Sequence, residues 1–429
     1  MGDSKVRNET KSFAFDGATI RAVEGESIAS ALVAAGHFAF ARSPKFHRPR
    51  GPACFRAACD GCLARVDGVP NVMTCREPVR DGAIVESQNT LGVRDLDLLR
   101  MTDWFFPDGM NHHELFAGVP GVQSVMQSFA RRVAGLGKLP RTTLPTRKAA
   151  RETVDVLVVG TGPSGMAVAN GIVTSGRKVL AVDDGFLRGG TLASVRKESL
   201  GEWGNVLASF DANVASGAVR LELRTTAAAF YGDDVLVVGP EGARVVTAAA
   251  TVLASGAHDG VFPFEGNDLP GVMSARAALV LLANDAAPFR EVALVSVDGG
   301  TSVGAMVRRA FAEAASTAPG RRVHVLEGAP VRASGIARVK RCRVKTATGE
   351  VDLDVDAVVI DMPPSPSYEL ASQTGARLAH ESRGFVVKED RGRIGPRLFA
   401  TGELVGLPFE PGAVLAHAAA TAAHVTETG

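Results

Sequence analysis

The sequence predicts an α/β chain carrying two dinucleotide-type folds, with a small α+β domain in front of them. Three observations predict it. A β-branched run, Val154 to Val159, stops at glycines 160, 162 and 165, and a helix-forming stretch follows. A second strand, glycine turn and helix, EVALVSVDGGTSVGAMVRRAFAEA, lies at 291–314. Four of the five cysteines crowd into residues 54–75, among short alternating apolar segments. With 429 residues, the chain has room for two or three domains.

The small domain comes first. Alternating segments at Ser12–Phe15 and Thr19–Val23 flank Asp16-Gly17, a hairpin signal. A helix is expected from Ser27 to Ala35, closed by Gly36. The chemistry follows in GPACFRAACDGCLARVDGVPNVMTC, where Cys54, Cys59, Cys62 and Cys75 are spaced C-x4-C-x2-C-x12-C. Four thiolates, three of them in one loop at C-x4-C-x2-C, suit a plant-type [2Fe–2S] cluster, and so predict a β-grasp, ferredoxin-like domain. Zinc accepts four thiolates too, although structural zinc sites usually present two short knuckles and Cys75 stands alone. A vestigial, empty loop is the third reading, because Ala57 and Ala58 stand where such loops often use glycine.

Residues 89–130 read as a connecting segment whose aromatics, Trp104, Phe105 and Phe106, pack between domains. The His112-His113 pair beside Glu114 does not read as a metal site, because adjacent residues do not share a helix face and no third ligand is spaced for it. The basic, proline-punctuated stretch 138–152 reads as a linker.

The main fold opens at Val154. Gly160, Gly162 and Gly165 supply a tight turn, close approach to a pyrophosphate and tight packing of helix on sheet. Pro163 and Ser164 begin the helix, whose free N–H groups would face the phosphates. The next strand, Lys178 to Val182, ends at Asp183 and Asp184, where a carboxylate accepts hydrogen bonds from an adenosine ribose. Further along, Gly190, Thr191 and Leu192 in LRGGTL, the Ser255-Gly256 turn, and Gly402-Glu403 at the end of another strand complete the candidate cofactor contacts. Glu403 keeps the carboxylate of the aspartate usual there and lengthens it by one methylene. An alanine-rich helix closes the chain.

The order is first Rossmann half, inserted second half, and return to the first. This resembles the two-dinucleotide, glutathione-reductase-like plan, and by analogy with that family Pro163 in the first turn implies FAD rather than NAD in the first half. Thr301 replaces the middle glycine of the second half, so NAD(P) binding there is expected to be weak or absent. The expected domains are 1–90 for the cluster, 91–152 for the connection, 153–275 and 363–429 for the FAD fold, and 276–362 for the NAD(P)-like insert. Cys342 falls on an alternating hairpin strand and reads as a small buried hydrophobe.

A formal net charge of +1 leaves no basic field for nucleic acid. The longest apolar run, Ile28 to Ala41, is too short to span a membrane, and MGDSKVRNETK lacks a signal-peptide core. A cytoplasmic protein is expected.

Several segments carry a family resemblance. RSPKFHRPRG, the cysteine loop, VRDGAIVESQN, RRVAGLGKLP and FPFEGNDLPGVMSA resemble the α subunits of heterotetrameric sarcosine oxidases. Opine oxidases, hydroxyproline dehydrogenases and hydrogen cyanide synthase share the architecture. The resemblance implies an electron-transfer α subunit carrying FAD and a [2Fe–2S] cluster. Its partner would be a β subunit of the amine-oxidase type, whose own flavin oxidises the substrate, with a downstream electron acceptor. Classical sarcosine oxidase α subunits lack the cluster cysteines and continue into a folate-binding half that is absent here, so folate chemistry is not implied. No acid–base pair for amine oxidation is visible, and no catalytic residue is assigned. Two other readings stay open: an NADH-dependent reductase, and a nucleotide-holding scaffold subunit.

Overall fold

The computed structural model describes residues 9–43, 46–90, 92–93, 96–97, 121–122, 124–125, 148–260, 262–317 and 320–427. The aromatic group at 104–106, the His112–Glu114 stretch and the RRVAGLGKLP segment lie outside the described residues. The chain divides into two compact units. One comprises Met1–Thr143, Phe262–Gly299 and Arg308–Asp361; the other comprises Leu144–Val261, Gly300–Val307 and Met362–Gly429.

In the first unit, strands β1 (Glu9–Phe15) and β2 (Ala18–Val23) form the hairpin, and helix α1 (Ile28–Ala34) follows. Ser27 caps α1, its hydroxyl accepting from the Ser30 N–H. Strands β3 (Leu63–Val66), β4 (Val69–Met73) and β5 (Ile84–Glu86) complete a sheet of order β2-β1-β5-β3-β4. Only the β1–β5 pairing is parallel. Alternation buries Phe13, Phe15 and Ile20 of the hairpin, and α1 adds buried Ile28 and Leu32. The cysteine loop is the long connection from α1 to β3, anchored at both ends by this core.

The second unit opens with β6 (Ala150–Val159), helix α2 (Pro163–Val173) and β7 (Val179–Val182). Helix α3 (Trp203–Ala215), β8 (Val219–Glu222), β9 (Thr226–Tyr231), β10 (Asp234–Gly239) and β11 (Gly242–Leu253) follow. The sheet order is β8-β7-β6-β11-β10-β9. β6, β7, β8 and β11 run parallel, and β9 to β11 form an antiparallel meander.

The first unit resumes with β12 (Val272–Ser274), α4 (Ala275–Ala283) and β13 (Glu291–Ser296). Helix α5 (Ser302–Thr317), of which only the part from Arg308 belongs to this unit, leads to β14 (Arg322–Glu327), then to strands β15 (Ala329–Ser334), β16 (Arg341–Thr346) and β17 (Gly349–Asp354), and finally to β18 (Ala357–Asp361). A parallel sheet of order β12-β18-β13-β14 results, with β15 to β17 as a separate antiparallel sheet. Both faces of β13 and β18 are buried, which is why these strands read as continuous apolar runs.

The chain returns with β19 (Leu398–Ala400), parallel to β11, and ends in helix α6 (Pro411–Glu427). Helix α6 packs against α2 so closely that a Cβ on Gly171 would lie 2.7 Å from the Cβ of Ala422. Leu157, Leu180, Val182, Val246, Leu253 and Leu398 belong to one buried core. Among the described residues, no helix is long and apolar enough to cross a membrane.

Candidate cluster and dinucleotide sites

The cysteine loop gathers its sulfurs in two pairs. The Cys54 thiol donates to Cys59 Sγ at 3.4 Å, and Cys62 is hydrogen-bonded to Cys75. Thr74 fixes the second pair: its N–H and hydroxyl both donate to the Cys62 carbonyl, at 3.3 and 2.7 Å, and its own carbonyl accepts from Ala29 in the first turn of α1. Cys54, Cys62 and Cys75 are buried. The hydrogen bond to Cys59, followed by burial, pushes the Cys54 thiol up, and the same bond lowers Cys59 to about 6. Cys62 is raised by its hydrogen bond to Cys75 and by burial.

The backbone is turned toward these sulfurs. The Arg56 N–H donates to Cys54 Sγ at 3.3 Å, Ala58 supports the same sulfur, and backbone groups of Ala53, Gly61 and Cys54 support Cys59. Such a nest of N–H groups stabilises negative charge on sulfur. Phe55 and Ala57 make it possible by adopting left-handed φ values of 55° and 60°. Each costs about 1–2 kcal/mol without glycine. The loop therefore takes the glycine-like path that its sequence does not favour.

A [2Fe–2S] cluster needs two thiolates on each of two irons, whereas a structural zinc needs four donors around one point. The two pairs fit the first arrangement. Among the described residues, no group of three or more His, Cys, Asp or Glu side chains is arranged around a single metal position.

In the second unit, β6 ends at Gly160, whose φ is +97°. A Cβ there would lie 2.3 Å from the Ala254 carbonyl, and one on Gly165 would lie 2.0 Å from the Gly160 carbonyl. These two glycines serve the fold. Gly162 does not: its φ is −66°, and an added Cβ would meet nothing within 4 Å. It caps α2, with Pro163 at the first helical position. The open side of Gly162 is the cradle that a pyrophosphate on the α2 N-terminus would need.

Asp183 points back into this loop. One carboxylate oxygen accepts from the Thr161 N–H at 2.6 Å and the Thr161 hydroxyl at 2.8 Å; the other accepts from the Gly185 N–H at 2.7 Å. Asp184 is exposed beside it. Gly189 donates to the Thr161 carbonyl, and a Cβ on Gly190 would lie 3.2 Å from the Gly162 Cα, so the LRGGTL turn adjoins the glycine loop. Thr191 and Leu192 are buried. The Ser255 hydroxyl donates to the Ser367 carbonyl, and Gly256 takes φ +71°. Gly402, at φ +80°, abuts Ser164: an added Cβ would lie 2.2 Å from its Oγ. Glu403 is half-buried in the next turn. The glycine loop, LRGGTL and Gly402 are thus brought together around the start of α2. Sequence reasoning missed Thr161, fully buried and the main partner of Asp183; only its place inside the glycine motif marks it.

The second glycine turn differs. Thr301 Oγ1 accepts from the Gly304 N–H at 3.0 Å, so a side chain already serves the first turn of α5. At the carboxyl ends of β13 and β18, where a parallel sheet binds ligands, the Ser296 hydroxyl donates to buried Asp361 at 3.2 Å. Arg308 donates to Ser296 at 3.2 Å.

Comparison with known proteins shows several likenesses. Residues 9–90 match the family model of the 2Fe-2S iron-sulfur cluster binding domain. The chain is similar to the alpha chains of sarcosine oxidases. The relative from Rhizobium meliloti is 31% identical over 299 residues, covering 63% of this chain and 30% of its own length. That from Corynebacterium sp. strain P-1 is 29% identical, covering 76% of this chain and 33% of its own length. One subunit of the opine oxidase from Agrobacterium tumefaciens is 36% identical over 158 residues, 33% of this chain and 31% of that one. The chain thus spans about a third of the length of these relatives. The solved structure of L-proline dehydrogenase from P. horikoshii has the same fold, with a TM-score of 0.70, 20% identity and coverage of 99% of this chain and 74% of that one.

Proposed function

We propose that the chain is the electron-transfer α subunit of a heteromeric FAD-dependent dehydrogenase or oxidase of amines or amino acids. It would pass electrons onward from a flavin on a separate, amine-oxidase-type β subunit to a downstream acceptor. The observation that carries this reading is one chain holding both paired thiols suited to two irons and an open glycine cradle suited to a dinucleotide. When bound, FAD exchanges one or two electrons and a [2Fe–2S] cluster exchanges one, the combination a relay requires.

Gly160 to Gly165 would receive the pyrophosphate on the α2 amides, with Asp183 holding the loop and the Asp183–Asp184 corner facing the adenosine. Gly190, Thr191, Leu192, Ser255, Gly256, Gly402 and Glu403 would line the remainder. Cys54 and Cys59 would hold one iron, Cys62 and Cys75 the other. The expected domain limits at 90, 152, 275 and 362 belong to the same reading, although β12 already joins the second sheet at Val272. All five cysteines are free, which suits a reducing, cytoplasmic setting.

The test is co-expression with a neighbouring amine-oxidase-type gene product. The complex should reduce dye with sarcosine, proline, hydroxyproline, glycine or an opine, and the isolated chain should reduce it with none. Turnover of these substrates by the isolated chain would end this reading. Bleaching by NADH alone would favour a self-contained reductase, and a colourless protein a scaffold.

A further inference from the structure

We infer that the second dinucleotide-type fold serves as the seat of the cysteine loop, with the Asp268–Ser274 strip as the contact that positions it. This rests on the reading of the four cysteines as cluster ligands. The strip touches the loop at three places. The Arg50 guanidinium pairs with Asp268 at 3.0 Å, each side chain about one-third exposed. Gly51 lies against Pro270, where an added Cβ would come within 3.1 Å of the proline Cβ and 2.1 Å of the Phe38 carbonyl. The Ser274 N–H donates to the Ala53 carbonyl at 2.9 Å, one residue before Cys54.

Ser274 is also the cap of α4, its hydroxyl accepting from the Ala277 N–H at 3.1 Å. The helix therefore starts at the residue that holds the loop. The residue that caps the positive end of α4 is thus the one bonded to Ala53, next in sequence to Cys54.

The strip is braced from behind. Gly271 accepts from Val358 of β18, and Val339 donates to Pro270. A Cβ on Gly271 would lie 2.9 Å from a Val339 methyl, so the strip has no room to retreat. Beside it, the Phe38 ring meets buried Phe289 in a tilted contact, centroids 5.8 Å apart, with the Arg338 guanidinium 4.6 Å over the Phe38 ring. A parallel βαβ fold thus presents to the loop a face anchored in its own sheet.

The full-length protein, purified anaerobically, provides the test. Iron, acid-labile sulfide and the electron paramagnetic resonance spectrum of the reduced wild type are measured first. Cluster loss in excess chelator is then timed for wild type, Asp268→Asn, Ser274→Pro, Ser274→Ala and Asp354→Asn. Proline is compatible with the Ser274 φ of −75° and removes the N–H that reaches Ala53; alanine removes only the cap. Asp354→Asn breaks a solvent-exposed pair with Arg341 elsewhere in the same fold.

Asp268→Asn and Ser274→Pro should lose the cluster roughly two- to tenfold faster than wild type, the effect of one contact. Ser274→Pro should also shift the g-values and midpoint potential, which a merely structural role would not move. Asp354→Asn should match wild type, and Ser274→Ala should keep wild-type g-values. Should Ser274→Pro fail to fold, Asp268→Asn and Arg338→Ala decide by the same two readouts. Wild-type rates and spectra in the folded variants of a cluster-bearing protein would overturn the seat alone. A wild type without iron and sulfide would overturn the cluster reading and the seat together.

Discussion

Asp183 holds Thr161 by two hydrogen bonds to one carboxylate oxygen, from the backbone N–H at 2.6 Å and the hydroxyl at 2.8 Å. The acid at the end of β7 is therefore part of the glycine loop's own framework. Asp183→Ala should free the Thr161 N–H and loosen the loop, weakening FAD binding by about 1–3 kcal/mol and lowering stability as well. Asp184→Ala, at an exposed site, should weaken FAD binding with a smaller loss of stability than Asp183→Ala. Calorimetric FAD titration beside thermal unfolding of the apoprotein separates the two. Equal effects on stability would mean that Asp183 is not the clamp.

The three glycines of the motif divide by the same logic. Gly160→Ala places a Cβ 2.3 Å from the Ala254 carbonyl at a φ of +97°, and should destabilise the fold by more than about 2 kcal/mol. A Cβ added at Gly162 meets nothing within 4 Å, and Gly162→Val requires no left-handed backbone. It should leave apoprotein stability within about 1 kcal/mol while abolishing FAD retention. Chemical denaturation and the flavin content of purified protein check both. Normal flavin content in Gly162→Val would place the pyrophosphate elsewhere.

These contrasts mark how much was legible in sequence. The β6–α2–β7 unit was readable because one buried strand, three glycines and a terminal acid are all local signals. The division of labour within it was not, since Gly160 and Gly162 look alike until the Ala254 carbonyl arrives from β11. The hairpin at Asp16-Gly17 and the four-cysteine spacing were likewise local. The pairing of the sulfurs was not, because it depends on Thr74 bridging to Cys62 and α1. Phe55 and Ala57 run against propensity, and only tertiary contacts hold them left-handed. The Ser274–Ala53 bond joins residues more than two hundred positions apart and leaves no periodic trace.

Replacing one cysteine from each pair tests the iron assignment. Cys59→Ser and Cys75→Ser should each cost most of the bound iron and acid-labile sulfide, because each leaves one iron with a single thiolate. Cys342→Ser should retain both. Metal analysis of anaerobically purified proteins gives the answer. Stoichiometric zinc without sulfide in the wild type would replace the two-iron reading with a one-metal site.

Cys342 carries a pH signature of its own. Burial, with a smaller push from the Asp352 charge, raises its thiol from the ordinary 9.0 to about 11. The folded state thus keeps a proton that the unfolded chain releases. Its contribution is fully present below pH 9 and is lost as pH climbs toward 11, amounting to about 2–3 kcal/mol. Denaturation curves between pH 8 and 11 should fall more steeply for wild type than for Cys342→Ala. At pH 8 iodoacetamide should leave Cys342 unmodified until the protein unfolds. Parallel curves for the two proteins would show that the thiol ionises normally.

The second glycine turn makes the last prediction. A pyrophosphate needs free N–H groups at the helix start and a backbone it can approach, and at α5 Thr301 withdraws both. Its Oγ1 already accepts from the Gly304 N–H at 3.0 Å, and its Cβ stands where the middle glycine would leave room. Ser296, Asp361 and Arg308 are engaged with one another at the strand ends. NADH should therefore bind weakly or not at all by calorimetry, and should not reduce the flavin rapidly. Thr301→Ala should lower stability by about 1 kcal/mol, the value of a lost cap, without creating tight binding. Thr301→Gly removes the Cβ as well and should give at most a modest gain in affinity. Tight NADH binding to the wild type, with rapid bleaching of the flavin, would reverse this and make the chain a reductase in its own right.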